Sequence, residues 1–442
     1  MLFLFSMAYG LMPHTSCLWP HFMPLSSPLK VHVLVDLEWS EKAGGHVKCW
    51  ERFASAAVDE VELDLTVHFA GPAEVRPLGK RVRFVFHPPV FSTRRLFFLG
   101  HVPDHSDLAS FHPGLYKSLE GADVVHTTDA FFAYARTAET WTQAHKRSLT
   151  HSIHTDTVAY TEIFTRRLLE KRLGFFGLAG LLDKVFKLPQ KAARDMKMKL
   201  SAHEKRCRFV LTSREEDKRA AIDMVGEARV RPYRLGLDFG LFNPARANRT
   251  RVEAAYRIPK DSFVLVFVGR LDEGKNIYVL LDAVEQLIAK GVPLFLIAAG
   301  VGPAKAEIER RLNFRCACPG FVSPENLAEI YASADRLALP SAVETWSMAA
   351  AEALACGLPV LAAETSGVAR FLSATSNVLA GDVVREDSVA AWVAAIEGAY
   401  ATRHDATKRT HALACAKAHF PTWREALQQD FIPVWRAASG KT

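Results

Sequence analysis

The 442-residue sequence is poor in the features that mark several protein classes. It has no apolar run near the roughly 20 residues that span a bilayer. The opening stretch, residues 1–12, stops at Pro13, and the first charge of either sign is Lys30, so the basic start of a secretory signal is missing. Residues 1–29 are therefore expected to be a poorly defined extension, with a weak membrane-contacting arm as the alternative. Cysteines are few, odd in number and scattered, at Cys17, Cys49, Cys207, Cys316, Cys318, Cys356 and Cys415. No pair of C-x-x-C motifs occurs, which excludes a disulfide scaffold or a cysteine-rich zinc module and points to free thiols in a reducing, cytoplasmic setting. No RNP, KH or zinc-finger pattern is present either, so a nucleic-acid partner is not expected.

What is there is ordinary in balance, 49% hydrophobic and 23% charged, the composition of a protein with sizeable cores. The formal charge of +7 is not spread evenly. Residues 166–208 hold thirteen Lys or Arg against four Asp or Glu, a local +9, which leaves −2 for the rest of the chain.

Short β-rich runs alternate with helical patterns twice along the chain. The first set is VHVLVDL (31–37), VELDLTVHF (61–69), VRFVF (82–86), ADVVHTT (122–128), SLTHSIHT (148–155) and RFVLTS (208–213). The second is FVLVFVG (263–269), PLFLIAAG (293–300), RLALPS (336–341) and PVLAAE (359–364). Near-continuous apolar strands separated by helices imply parallel sheets covered on both faces. The fold class is thus α/β, two doubly wound Rossmann-like domains facing across a cleft at their strand C-termini. The expected division is 30–240, then 241–420, with the turn-rich LDFGLFNPARANRT near the boundary and a helix over 421–442 that could return to the first domain.

Four constellations stand at strand-to-loop junctions. Gly44-Gly45 follows the first strand and precedes a helix, where backbone N–H groups could approach a phosphate or sugar; a plain turn is the alternative. Gly269-Arg-Leu-Asp-Glu-Gly-Lys275-Asn276 fits G-x-x-x-x-G-K but lacks the Ser or Thr that holds Mg²⁺ in a P-loop. Arg270 and Lys275 remain as two cations suited to a diphosphate, or to a solvated turn. Glu344 lies in a loop and Glu352 on the helix that follows, with Ser347 at that helix's start. Two carboxylates at different depths suit the vicinal hydroxyls of one extended ligand. His151-Ser-Ile-His154-Thr-Asp156 closes a first-domain strand, where His154 could donate to a sugar or phosphate or be satisfied locally. His126, Asp129, His151, His154 and Asp156 suffice for a metal by count but lack ligand spacing, so no metal is expected.

In this order, with LGLDFGLFNP (235–244) and ASADRLALPSAVETWSMAAAEALACGLPVLA, these residues resemble glycosyltransferase family 4. The resemblance spans roughly residues 30–435. It implies the GT-B fold and transfer of a sugar, with retention, from a nucleotide diphosphate sugar, without a further cofactor. It assigns Arg270 and Lys275 to the diphosphate, Glu352 to the ribose and Glu344 to the transferred sugar. His154 falls near the reacting centre, Gly45 against phosphate or acceptor, and the helix end at Ser347 toward the leaving group. Two stretches depart from the family pattern: Trp346-Ser347 replaces Phe-Gly, and Ser366-Gly367-Val368-Ala369-Arg370 replaces a GG-x-x-E-like run, removing a carboxylate. HTDTVAYTEIFT resembles lipid-directed members such as sulfolipid synthase. Together with apolar residues interleaved among the lysines of 166–208, it implies a membrane-lipid acceptor and a peripheral site on the anionic inner membrane face. An amphipathic core helix, an inactive nucleotide-sugar-binding module, and a soluble or polysaccharide acceptor are the rival readings.

Overall fold

The computed structural model describes residues 27–40, 43–95, 105–154, 158, 161, 165, 187–341, 347–369, 372 and 380–441. Two sheets hold the chain together. The first contains β1 (Leu29–Glu38), β2 (Leu63–Ala70), β3 (Glu74–Pro77), β4 (Val82–His87), β5 (Val124–Thr127), β6 (Ser148–Ser152), β7 (Phe209–Thr212) and β8 (Val230–Pro232), in the order β3-β4-β2-β1-β5-β6-β7-β8. Every pair is parallel except β3 with β4, an antiparallel edge hairpin that the sequence reading lacks. The second sheet runs β11-β10-β9-β12-β13-β14, wholly parallel. Its strands are β9 (Phe263–Val268), β10 (Leu294–Ala299), β11 (Cys316–Gly320), β12 (Arg336–Leu339), β13 (Val360–Ala363) and β14 (Gly381–Val384).

The central strands are buried on both faces, as their apolar sequences require: Val31, Val33, Leu34 and Val35 of β1 and Val264, Leu265 and Val266 of β9 are fully buried. The order of each sheet reverses beside its first strand, β1 or β9, so the crevices that admit ligands open at the C-terminal ends of these strands.

Between the sheets the chain is less irregular than its composition suggests. The turn-rich stretch LDFGLFNPARANRT runs into the helix Arg249–Tyr256, begun by Asn248, whose side chain accepts the N–H of Arg251. At the other end a capping box, Thr422 with Glu425, starts a helical segment that continues through a π-turn at Leu427–Phe431 into Ile432–Ser439. Trp423, Leu427, Phe431 and Trp435 of this segment are in the same core cluster as Val33, Trp50 and Phe53 of the first domain. Phe53 meets Trp423 and Phe431 edge-on, with ring centres 4.8 and 4.9 Å away.

The two passages between domains touch. Leu237 bridges Thr422, and its N–H donates to the carbonyl of Pro421 at 2.9 Å. A Cβ on Gly236 would lie 2.3 Å from the Trp423 Cα, so only glycine allows the two backbones to approach this closely.

A row of histidines crosses the first sheet. His32 Nδ1 and His68 Nε2 are 3.0 Å apart, His68 Nδ1 and His87 Nε2 2.9 Å, and the rings stack in sequence. Burial lowers the pKa of His32 and His87 to about 4 and drives His68 down as well. In the unfolded chain such rings protonate near pH 6.5.

Two outcomes are expected. Gly236→Ala should lower the urea midpoint by the equivalent of about 3 kcal/mol, because neither backbone can yield. The histidine row's contribution to stability should be full above pH ~6.5 and fall as pH drops toward 4, since there the unfolded state's rings bind protons that the folded state's refuse. Urea titrations across that range should show the fall, and His87→Gln should make it shallower.

Candidate functional site

The second domain offers its loops first. After β9, Gly269 takes φ 152°, a left-handed conformation that favours glycine. Asp272 then caps a short 3₁₀ turn, Glu273–Lys275, by accepting the N–H of Lys275 at 3.2 Å. The loop lies directly on the next one: Cβ atoms on Gly300 and Gly302 would fall 1.8 Å from the Gly269 carbonyl oxygen and 2.3 Å from that of Leu271. This G-x-G after β10, not singled out in the sequence, is what makes the floor beneath Arg270 rigid. Arg270 is about a third exposed, its Nε 3.4 Å from Asp272, and Lys275 is half-buried five residues on. Asn276, the residue that breaks the P-loop pattern, sits at φ 54° and donates to the Pro340 carbonyl and to Asp387. It ties three loops together, a use for which serine or threonine is too short.

Beyond β12 comes the helix Met348–Ala355. Ser347 caps it, its buried Oγ accepting the N–H of Ala350 at 3.2 Å, and Ala350 and Ala351 are fully buried. One turn in stands Glu352, only 6% exposed. Its Oε1 accepts both terminal nitrogens of Arg52, each at 3.2 Å. Arg52 belongs to the first domain's helix Gly45–Ala56 and lies over the ring of Trp423, 5.6 Å from its centre. Burial raises the Glu352 pKa above the usual carboxylate range, while the charge and hydrogen bonds of Arg52 pull it back. Glu344 lies outside the described residues, as do Trp346 and Asp156.

Across the cleft, Gly44 is the N-cap of the Gly45–Ala56 helix with φ −65°, a conformation any residue adopts, and a Cβ on Gly45 would meet nothing within 4 Å. The pair therefore serves no backbone need; it leaves open space at a helix N-terminus. Next in the chain, His46 stacks on His154 at 4.5 Å, with 15° between the planes. Burial lowers the pKa of His46 to about 4, and its Nε2 is shielded without a hydrogen-bond partner among the described residues. The sequence reading passed over His46; its place directly after Gly44-Gly45 was the available signal.

His154 is held by a directional chain. Trp435 Nε1 can only donate, and its neighbour at 3.3 Å is His126 Nδ1, so that nitrogen accepts. Burial, lowering the His126 pKa to about 3, keeps this ring neutral; its Nε2–H then donates to Ser152 Oγ at 2.8 Å. Ser152 passes its own proton to His154 Nε2 at 2.8 Å, and His154 Nδ1–H faces the Tyr233 hydroxyl at 3.3 Å. Tyr233 donates in turn to the Ile153 carbonyl at 2.8 Å. His154 is driven well below its ordinary pKa by burial, then by the neighbouring rings of His46, His126 and His151. Of the remaining members of the metal-by-count set, His151 bonds Thr127, and Asp129 accepts the N–H groups of Phe131 and Phe132. Among the described residues no group of His, Cys, Asp or Glu is placed to hold a metal ion. Asp36, also unremarked in the sequence, is buried at the end of β1 and accepts the N–H groups of Asp107 and Tyr134, fixing the loops beside the cleft.

Two parallel-sheet domains with these loops at their facing ends have the architecture of the GT-B glycosyltransferases. Solved structures sharing it include Anabaena Alr3699/HepE in complex with UDP and glucose, with TM-score 0.62, 17% identity, and 91% of this chain and 98% of that one covered. A second is sucrose-phosphate synthase from Thermosynechococcus elongatus, with TM-score 0.63, 18% identity, and 90% and 97% covered. Residues 248–412 match the family described as "Glycosyl transferases group 1". Curated relatives include the GDP-mannose-dependent alpha-(1-6)-phosphatidylinositol dimannoside mannosyltransferase of Mycobacterium tuberculosis, 34% identical over 164 residues, 37% of this chain and 42% of that protein. Another is D-inositol 3-phosphate glycosyltransferase 1 of Catenulispora acidiphila, 31% identical over 175 residues, 36% and 40% of the two chains. The chain thus matches about two-fifths of these relatives' length.

Two measurements address this geometry. Arg52→Ala should raise the Glu352 pKa further, read by carboxyl ¹³C titration, because burial then acts unopposed. Ser152→Ala should cost about 1–3 kcal/mol by leaving the His126 N–H unpaired. It should also abolish the single Nδ1–H tautomer of His154 in imidazole ¹⁵N spectra.

Proposed function

We propose that the protein is a retaining glycosyltransferase of family 4 that moves a hexose from a nucleotide diphosphate sugar to an acceptor hydroxyl on a membrane lipid. The observation that carries the reading is Glu352, a carboxylate buried one turn into the helix that follows β12 and paired across the cleft with Arg52. A buried carboxylate at this place is a strong acceptor for paired hydroxyls, and in this reading it holds the donor's ribose. Glu344, eight residues earlier in the sequence, takes the hydroxyls of the transferred sugar.

Arg270 and Lys275 hold the diphosphate, supplying the positive charge that a divalent metal supplies in other phosphoryl sites. As the sugar–phosphate bond lengthens, negative charge grows on the leaving diphosphate. The two cations and the helix end at Ser347 stabilise that charge where it develops. The acceptor oxygen attacks from the same face of the sugar. His154, its ring locked by Ser152 and Tyr233, borders that face with His46, and the space beside Gly44 and Gly45 admits phosphate or acceptor.

The printed names of the relatives support a transferase, and one names both GDP-mannose and a phosphatidylinositol dimannoside. The lipid acceptor also agrees with the +9 charge of residues 166–208, although much of that segment lies outside the described residues. Among those described, no helix is long and apolar enough to cross a membrane; the reading, from the basic segment and the lipid acceptor, is of an enzyme at the cytoplasmic membrane surface.

The test is incubation of the protein with a panel of nucleotide sugars and a membrane lipid extract, with product analysis. Glu352→Ala should weaken nucleotide binding at least about tenfold, the loss of a charge-assisted pair of hydrogen bonds. Unchanged nucleotide affinity in that variant, with no sugar released from any donor, would sink the proposal.

A further inference from the structure

A second concave site lies at the far end of the first sheet, where β6, β7 and β8 begin and not where they meet the cleft. Its volume is ≈ 650 Å³, within the range of small-ligand pockets. The wall carries Arg147, Lys205, Arg206, Arg208, Arg229 and Arg231, and no Asp or Glu.

These cations are not equivalent. Arg229 is spent on the backbone: it donates to the carbonyls of Glu204, Lys205 and Cys207, the last turn of the helix Leu188–Arg206. It thereby cancels the negative helix end that would otherwise repel an anion. Arg206 pairs with Glu139, and Arg147 stands 3.9 Å from Asp123, a carboxylate already bonded to Lys441. That leaves Lys205, Arg208 and Arg231, none of which is paired with a carboxylate among the described residues. Arg231 and Arg208 flank the Phe209 ring at 4.9 and 6.0 Å, and Arg231 also donates to the Val230 carbonyl, so two guanidinium groups are held in place rather than left to splay apart.

Several arginines elsewhere are paired with carboxylates. Arg311 binds Asp282 and Glu285, Arg234 binds Asp430, and Arg249 binds Glu253 and Asp335. Like charges gathered in a hollow without counter-ions repel one another, a cost relieved by a ligand of opposite sign. Guanidinium pairs match phosphate oxygens in geometry as well as charge.

We propose that this hollow is a binding site for a phosphate-bearing ligand, separate from the cleft, with Lys205, Arg208 and Arg231 as its principal contacts. Two sources share that chemistry: the headgroup of an anionic phospholipid and a soluble phosphorylated compound. The proposal does not rest on the transferase reading.

The test uses the full chain, with inorganic pyrophosphate in a calorimetric titration and phosphatidylcholine vesicles with and without phosphatidic acid in co-sedimentation. Lys205→Ala/Arg208→Ala/Arg231→Ala should weaken binding at least about tenfold in one arm or both, through loss of charge-assisted contacts. Lys205→Glu, a change at an exposed side chain, should weaken it in the same arm while leaving the thermal midpoint unchanged. Loss with pyrophosphate identifies a soluble ligand; loss only with phosphatidic acid vesicles identifies a headgroup. Arg270→Ala/Lys275→Ala removes pyrophosphate bound in the cleft and should leave intact the binding component that the triple variant loses. The proposal is overturned if neither probe binds, or if only the cleft variant loses binding. It also fails if Lys191→Ala/Arg194→Ala/Lys197→Ala/Lys199→Ala on the neighbouring helix loses as much as the triple variant, since diffuse charge would then explain the result.

Discussion

The close crossing of Gly236 and Trp423 is the contact on which the rest of the arrangement depends. Because one passage has no side chain there, the other can lie directly against it. Trp423 then serves two places. Its ring packs edge-on to Phe53 inside the first domain, and it supports the Arg52 guanidinium that reaches Glu352 in the second. Backbone crossing, aromatic core and interdomain ion pair thus form one continuous unit.

The ion pair also explains how a buried carboxylate persists in a cleft. A charge removed from water and left alone would take up a proton. Arg52 opposes this from the other domain and keeps Glu352 available to donors. A ligand that takes over this carboxylate must match what Arg52 provides, or engage it while the pair is kept. In either case occupancy of the cleft is linked to the relation between the domains, without any specialised hinge segment.

The interior strands of both sheets were legible because burial on both faces writes itself as an unbroken apolar run. The strands that escaped notice are β3, β8, β11 and β14, the four sheet edges. An edge strand has a neighbour on one side only and tolerates polar or turn-forming residues, as in the Glu-Val-Arg-Pro of β3 and the Cys-Ala-Cys-Pro-Gly of β11. The cleft shows the same division. Arg270, Lys275 and Glu352 stood out because their spacing from a strand is local. Arg52 did not, since its partner lies 300 residues away and nothing in a helix repeat marks it. The tautomer of His154 depends on Trp435, which only the folded chain brings near His126.

The return of the C-terminal segment to the first domain has a consequence for synthesis. A nascent chain emerges from its amino end, and domains commonly fold in that order. Here Trp423, Phe431 and Trp435, which complete the core around Trp50 and Phe53, follow them by more than 360 residues in the chain. The second domain's strands, β9 to β14, are all translated before them. On the ribosome the later domain can therefore close first, while the earlier one waits, with apolar surface uncovered, for the segment that carries Trp423.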